Sequence, residues 1–178
     1  MVLGLVAALA LAGCAEDPVS VPDEVRGPFV TCDAATTATD GTSSVRLPCF
    51  ADGAEVSVPP VGKPAVITLW ASSCEPCRVE LPAFQHLWEK NRDRVVVLGV
   101  VTGDTRTAAA SLAEDLSVTF PSVYDRGATF QRHLGRSTLP LTLFVDRSGQ
   151  VVYSHVAGAL DDRQLAELVT GKLGVELA

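Results

Sequence analysis

The continuous apolar and β-branched run Ala65 to Trp70 (AVITLW) leads directly into Cys74-Glu75-Pro76-Cys77, and a helical pattern follows from Glu75 to Glu89. A run of that texture reads as a central strand covered on both faces. The order strand, C-x-x-C, helix therefore calls for an α/β domain with the cysteine pair where strand gives way to helix. Backbone N–H groups and the helix dipole favour an anion at that place, so a thiolate at Cys74 is stabilised. Pro76 suits the first helical turn, where its missing donor is no loss.

Spacing along the helix separates the two cysteines. Cys77, Leu81, Phe84 and Trp88 fall on one stripe, which predicts that Cys77 lies deeper than Cys74. Cys74 is then the nucleophile that forms a mixed disulfide, and Cys77 the thiol that resolves it. A buried thiol has a raised pKa and needs a base. Glu80, three residues on, flanks the same stripe and is a candidate for that base, although spacing alone favours a solvated helix charge.

A cysteine pair at this spacing has two other uses. A structural disulfide is one. A zinc site is the other, but there is no second C-x-x-C, and His86, His133 and His155 show no ligand spacing. A c-type haem attachment is excluded because Arg78, not His, follows Cys77. The sequence thus calls for no cofactor and no metal.

The remaining chain fits one domain. Val45 to Phe50 and Glu55 to Val58 predict a hairpin around Asp52-Gly53. Arg94 to Val101 reads as a buried strand, Thr105 to Leu116 as a helix, Val118 to Tyr124 as a strand, and Ala128 to Leu134 as a loop or short helix. Leu141 to Asp146 and Gln150 to His155 form a second hairpin, and Asp161 to Leu173 a final amphipathic helix capped by Asp161.

The front end has a different texture. Met1 to Ala12 (MVLGLVAALALA) is apolar, too short to span a bilayer as a mature helix, and closes on Leu11-Ala12-Gly13-Cys14. That resembles a bacterial lipobox, which implies cleavage after residue 13, acylation of Cys14 and a lipid anchor outside the cytoplasm; an ordinary signal peptide is the alternative. Ala15 to Ser44 is rich in Pro, Thr, Ser, Asp and Ala and reads as a tether, so the domain is expected over residues 45–178. Outside the cytoplasm disulfides persist, which favours a Cys32–Cys49 bridge pinning the tether to the first hairpin over two free thiols or a bridge to the active pair. The net charge of −7, with scattered Lys and Arg, disfavours nucleic-acid binding.

The segment Trp70-Ala71-Ser72-Ser73-Cys74-Glu75-Pro76-Cys77, followed by Glu80-Leu81-Pro82, resembles the active-site segment of the TlpA/ResA-like thiol-disulfide oxidoreductases. The likeness extends over about Val45 to Leu173, including the helix and strand inserted between Thr105 and Tyr124. It implies a thioredoxin-like fold with an N-terminal hairpin and a central mixed sheet flanked by helices. It further implies that Glu80 is the active-site acid, that Pro82 kinks the helix, and that Thr138-Leu139-Pro140 is a cis-proline loop facing the disulfide. Two departures stand out. Thr68 occupies the place of the buried Asp of thioredoxins, and Ser73 that of an aromatic residue in many relatives.

The resemblance also implies the partners: exported proteins carrying disulfides, apocytochrome c among them, and a membrane thiol donor of electrons. Two other functions compete. A thioredoxin-fold peroxidase would carry P-x-x-x-T-x-x-C, but Ala71 stands at the Thr position. Copper delivery would use Cys74, Cys77 and a histidine such as His133 or His155.

Overall fold

The computed structural model describes residues 26–33 and 45–178. Eleven elements follow one another: β1 (Val45–Pro48), β2 (Glu55–Val58), β3 (Ala65–Trp70), α1 (Glu75–Asn91), β4 (Val96–Thr102), α2 (Arg106–Asp115), β5 (Ser122–Asp125), α3 (Thr129–His133), β6 (Leu141–Val145), β7 (Val151–His155) and α4 (Asp162–Leu173). Cys14 and the leader lie outside the described residues.

β3 is central, as its unbroken apolar run requires, and all six of its residues are buried. The sheet order is β5-β4-β3-β6-β7. β4 and β5 run parallel to β3, through helical crossovers, while β6 and β7 return antiparallel as a hairpin. Alternation along β3 divides the core. Val66 and Trp70 face the layer built by α1, α2 and α4, whereas Ile67 and Leu69 face the β1–β2 hairpin and Phe130 of α3. Gly99 of β4 is required by close approach: a Cβ there would stand 2.4 Å from Ser122 Oγ and 3.0 Å from Trp70 Nε1.

The sequence pattern and the structure differ in three places. The strand expected from Val118 begins only at Ser122. The amides of Thr119 and Phe120 are taken by the Gln85 side-chain oxygen at 2.8 and 3.2 Å, and Pro121 has no amide to give, so no ladder forms there. The first hairpin strand stops at Pro48, because Cys49 turns away to bridge Val123 of β5. Part of the stretch whose composition reads as a tether is packed on the domain: Phe29 and Cys32 are buried, and Phe29 lies 4.8 Å from the Phe50 ring. The apolar residues of this segment follow no period and Phe29 is its one aromatic residue, so they do not register as a pattern, yet Phe29 and Cys32 suffice to dock it.

Candidate active site

The site is built where β3 ends. After Trp70 the chain turns through Ala71, Ser72 and Ser73 to Cys74, which caps α1 from an extended conformation. Asp104, after β4, holds that turn by accepting from the Ser72 amide at 2.6 Å and the Ser72 hydroxyl at 3.1 Å. Cys74 Sγ accepts from the Cys77 amide at 3.3 Å, the interaction that stabilises a thiolate at a helix start. The two sulfurs are joined, with an S–S distance of 2.04 Å.

Exposure divides the pair. Cys74 is part-exposed and Cys77 fully buried, on a stripe with Leu81 and Phe84 and with Trp88 packed at its end. Glu75 points into solvent and lies 4.0 Å from Arg78, and Pro76 occupies the first turn. Pro82 stands inside the helix.

One turn beyond Cys77, Glu80 is completely buried. Its Oε1 accepts from the Thr68 hydroxyl at 2.9 Å, and its Oε2 from the Leu160 amide at 3.4 Å. Burial penalises the carboxylate and pushes its pKa from 4.5 to about 7, against the pull of those two donors. An acid with that value takes up or gives away a proton at neutral pH.

Leu139-Pro140 is cis, directly ahead of β6. The next residue, Leu141, pairs with Leu69 of β3, so the loop lies beside the end of the strand that carries the cysteine motif. Thr138 is exposed and Leu139 part-exposed there.

The sequence model of the Redoxin family matches residues 34–169. The chain belongs to the Redoxin family. It is 25% identical over 107 residues to thiol-disulfide oxidoreductase ResA of Bacillus thuringiensis subsp. konkukian, over 60% of this chain and 61% of that one, so it spans under two thirds of that relative's length. The crystal structure of StoA from Bacillus subtilis superposes with a TM-score of 0.60 at 21% identity, covering 71% of this chain and 96% of that one. The exposed lipoprotein thioredoxin Etrx1 of Streptococcus pneumoniae superposes with a TM-score of 0.62 at 21% identity, covering 72% and 98%. These likenesses establish an α/β thioredoxin-like fold.

In this Redoxin chain the second cysteine pair is also bridged: Cys32 and Cys49 are joined at an S–S distance of 2.10 Å, both buried, at the start of the β1–β2 connection. His86 bonds Asp162 at 2.9 Å and His133 is exposed. Among the described residues no group of three or more His, Cys, Asp or Glu could hold a metal ion.

Two residues of the site carry no spacing signal. Thr68 reads as one more β-branched residue in a buried strand, and its place suggests only a missing aspartate, not a donor to Glu80. Asp104 is 32 residues from Ser72 and meets it only because β3 and β4 are parallel neighbours.

Proposed function

We propose that this Redoxin protein is a thiol-disulfide oxidoreductase that reduces disulfides in exported proteins, with Cys74 as the attacking and Cys77 as the resolving thiol. The observation that carries the reading is the contrast in exposure over the first two turns of α1: a part-exposed Cys74 at the helix cap, and a fully buried Cys77 and Glu80, the acid with a pKa of about 7.

The Cys74 thiolate attacks one sulfur of the client disulfide, forming a mixed disulfide and expelling the other sulfur as thiolate. Cys77 gives its thiol proton to the Glu80 carboxylate, and the resulting thiolate attacks Cys74 Sγ. The client's second thiolate leaves, Cys74–Cys77 is oxidised, and Glu80 holds the proton. A membrane dithiol of the cytochrome-maturation type returns two electrons and restores the reduced pair. Glu75 and Glu80 place negative charge near a thiolate that the helix start favours, which supports a potential near thioredoxin's, about −270 mV, over the about −120 mV of a strong oxidant. Apocytochrome c is the client class the resemblance suggests.

The leader and Cys14 support attachment to the outer face of the membrane by lipid, as in the exposed lipoprotein from Streptococcus pneumoniae. No helix among the described residues is long and apolar enough to cross a membrane.

The test is trapping. Cys77→Ala expressed in the cell envelope accumulates mixed disulfides at Cys74 with exported cysteine proteins, identified by mass spectrometry after diagonal electrophoresis. Their absence, with Cys74 expressed and exposed, contradicts the reading.

A further inference from the structure

Behind Glu80 the sheet carries a row of polar side chains in an otherwise apolar layer. Thr68 of β3 pairs directly with Thr142 of β6, and Thr142 pairs directly with His155 of β7. Directly opposed residues share a face, so the three side chains lie on the side where Thr68 meets Glu80. Val66, Phe144 and Tyr153, the parallel row two residues away, pack into the apolar core of that same face. Thr68 and Thr142 are fully buried, while His155 is part-exposed on the edge strand.

Two atoms in this row are unaccounted for. Thr142 Oγ1 and His155 Nε2 are both buried and have no hydrogen-bond partner among the described residues. A buried polar atom left without a hydrogen bond is destabilising, and two of them side by side need a reason. Opposed side chains in adjacent strands have Cβ atoms about 4.5–5.5 Å apart, close enough for threonine hydroxyls to bond after a rotamer change.

We propose that Thr68, Thr142 and His155 form a proton relay that joins Glu80 to the surface at the edge of the sheet. This rests on the reading of Glu80 as the acceptor of the Cys77 proton. With Glu80 ionised, Thr68 donates to it, as observed. Once Glu80 is protonated, the Thr68 hydroxyl turns to accept from the acid and donates its own proton to Thr142 Oγ1. Thr142 in turn donates to an unprotonated His155 Nε2, and the imidazole releases a proton to water from its exposed side. One proton enters at Cys77 and one leaves at His155, with no net change in the hydroxyls. Burial of Glu80 gives the relay its purpose, since a fully enclosed carboxyl has no direct contact with water.

The groups facing this row are few. α1 brings Glu80 and Cys77, β6 brings Thr142, and β3 brings Thr68 and the uncharged indole of Trp70, whose Nε1 is also buried without a partner among the described residues. The charges of α4, which packs over β6 and β7, are engaged elsewhere: Asp162 with His86, Arg163 with Glu167, and Lys172 over the Tyr153 ring.

The test follows the infrared band of the protonated Glu80 carboxyl in the reduced full-length chain after a rapid pH jump, with Glu80→Gln assigning the band by its loss. Thr142→Val and His155→Ala are expected to slow ionisation of Glu80 by about tenfold, a modest part of the ~10²–10⁴-fold that positioned acid–base groups supply. Thr142→Ser restores the rate, and added imidazole restores it in His155→Ala but not in Thr142→Val. A purely structural role does not respond to imidazole. Wild-type relaxation in both Thr142→Val and His155→Ala overturns the relay while leaving the role of Glu80 intact. A reduced wild-type chain with no titrating band that Glu80→Gln removes overturns both.

Discussion

The Thr68 hydroxyl donates to Glu80 Oε1 at 2.9 Å, tying the strand that leads into the cysteine motif to the helix that leaves it. That bond favours the charged form of an acid whose burial favours the neutral one, and the balance sets where the acid titrates.

Removing the donor shifts the balance. Thr68→Val keeps the shape and loses the hydrogen bond, so the Glu80 pKa rises above about 7. A hydrogen bond to a charged group contributes about 1.5–3 kcal/mol, enough to move the pH profile of disulfide reduction to higher pH by about one unit. Thr68→Ser leaves the profile in place. Turnover measured from pH 5 to 9 checks both variants.

Glu80 also makes stability depend on pH. Its pKa is about 7 in the folded chain against 4.5 for an ordinary glutamate, so the folded state holds the proton more tightly than the unfolded state. The contribution of Glu80 to stability is therefore full below about pH 4.5, falls as pH rises to about 7, and is level beyond, with a total loss of roughly 3 kcal/mol. Glu80→Gln is uncharged throughout and abolishes this part of the dependence. Urea unfolding of the oxidised protein at several pH values reads the slope, and turnover of the same variant is expected to fall about 10²-fold.

The two disulfides differ in access. Cys74 is part-exposed, whereas Cys32 and Cys49 are both buried. Mild reductant followed by alkylation labels Cys74 and Cys77 first and leaves Cys32 and Cys49 protected, as peptide mapping will show. Replacing Cys32 and Cys49 with Ala lowers stability by about 3 kcal/mol, the chain-entropy value for a loop of this order, and frees Phe29 from the Phe50 ring.

Asp104 holds the turn before Cys74 through two hydrogen bonds to Ser72. Asp104→Ala is expected to lower stability by about 2 kcal/mol and to reduce the rate of mixed-disulfide formation more than its resolution, because the turn positions Cys74 and not Cys77. Stopped-flow measurement of the two phases separates them.

Much of this was legible because it is local. The β3 run, the stripe of Cys77, Leu81 and Phe84, and the Asp161 cap each follow from short-range spacing. The links that tune the site are not local. Thr68 meets Glu80 across a strand–helix interface, Asp104 meets Ser72 across two strands, and Gln85 takes the amides of Thr119 and Phe120 from another layer. No periodicity encodes such pairings; they exist only once the sheet order is fixed. Phe29 was hidden for a related reason, since one aromatic residue in a Pro- and Thr-rich stretch has no pattern until the Phe50 ring is placed beside it.

The most direct measurement equilibrates the purified chain in dithiothreitol buffers of graded potential and counts free thiols at each residue by alkylation and mass spectrometry. Reversible, two-electron conversion of Cys74 and Cys77 together, with a midpoint near about −270 mV, is the predicted result. A pair that stays oxidised across the whole range, or that in its reduced form retains a metal ion instead of reacting, contradicts the account.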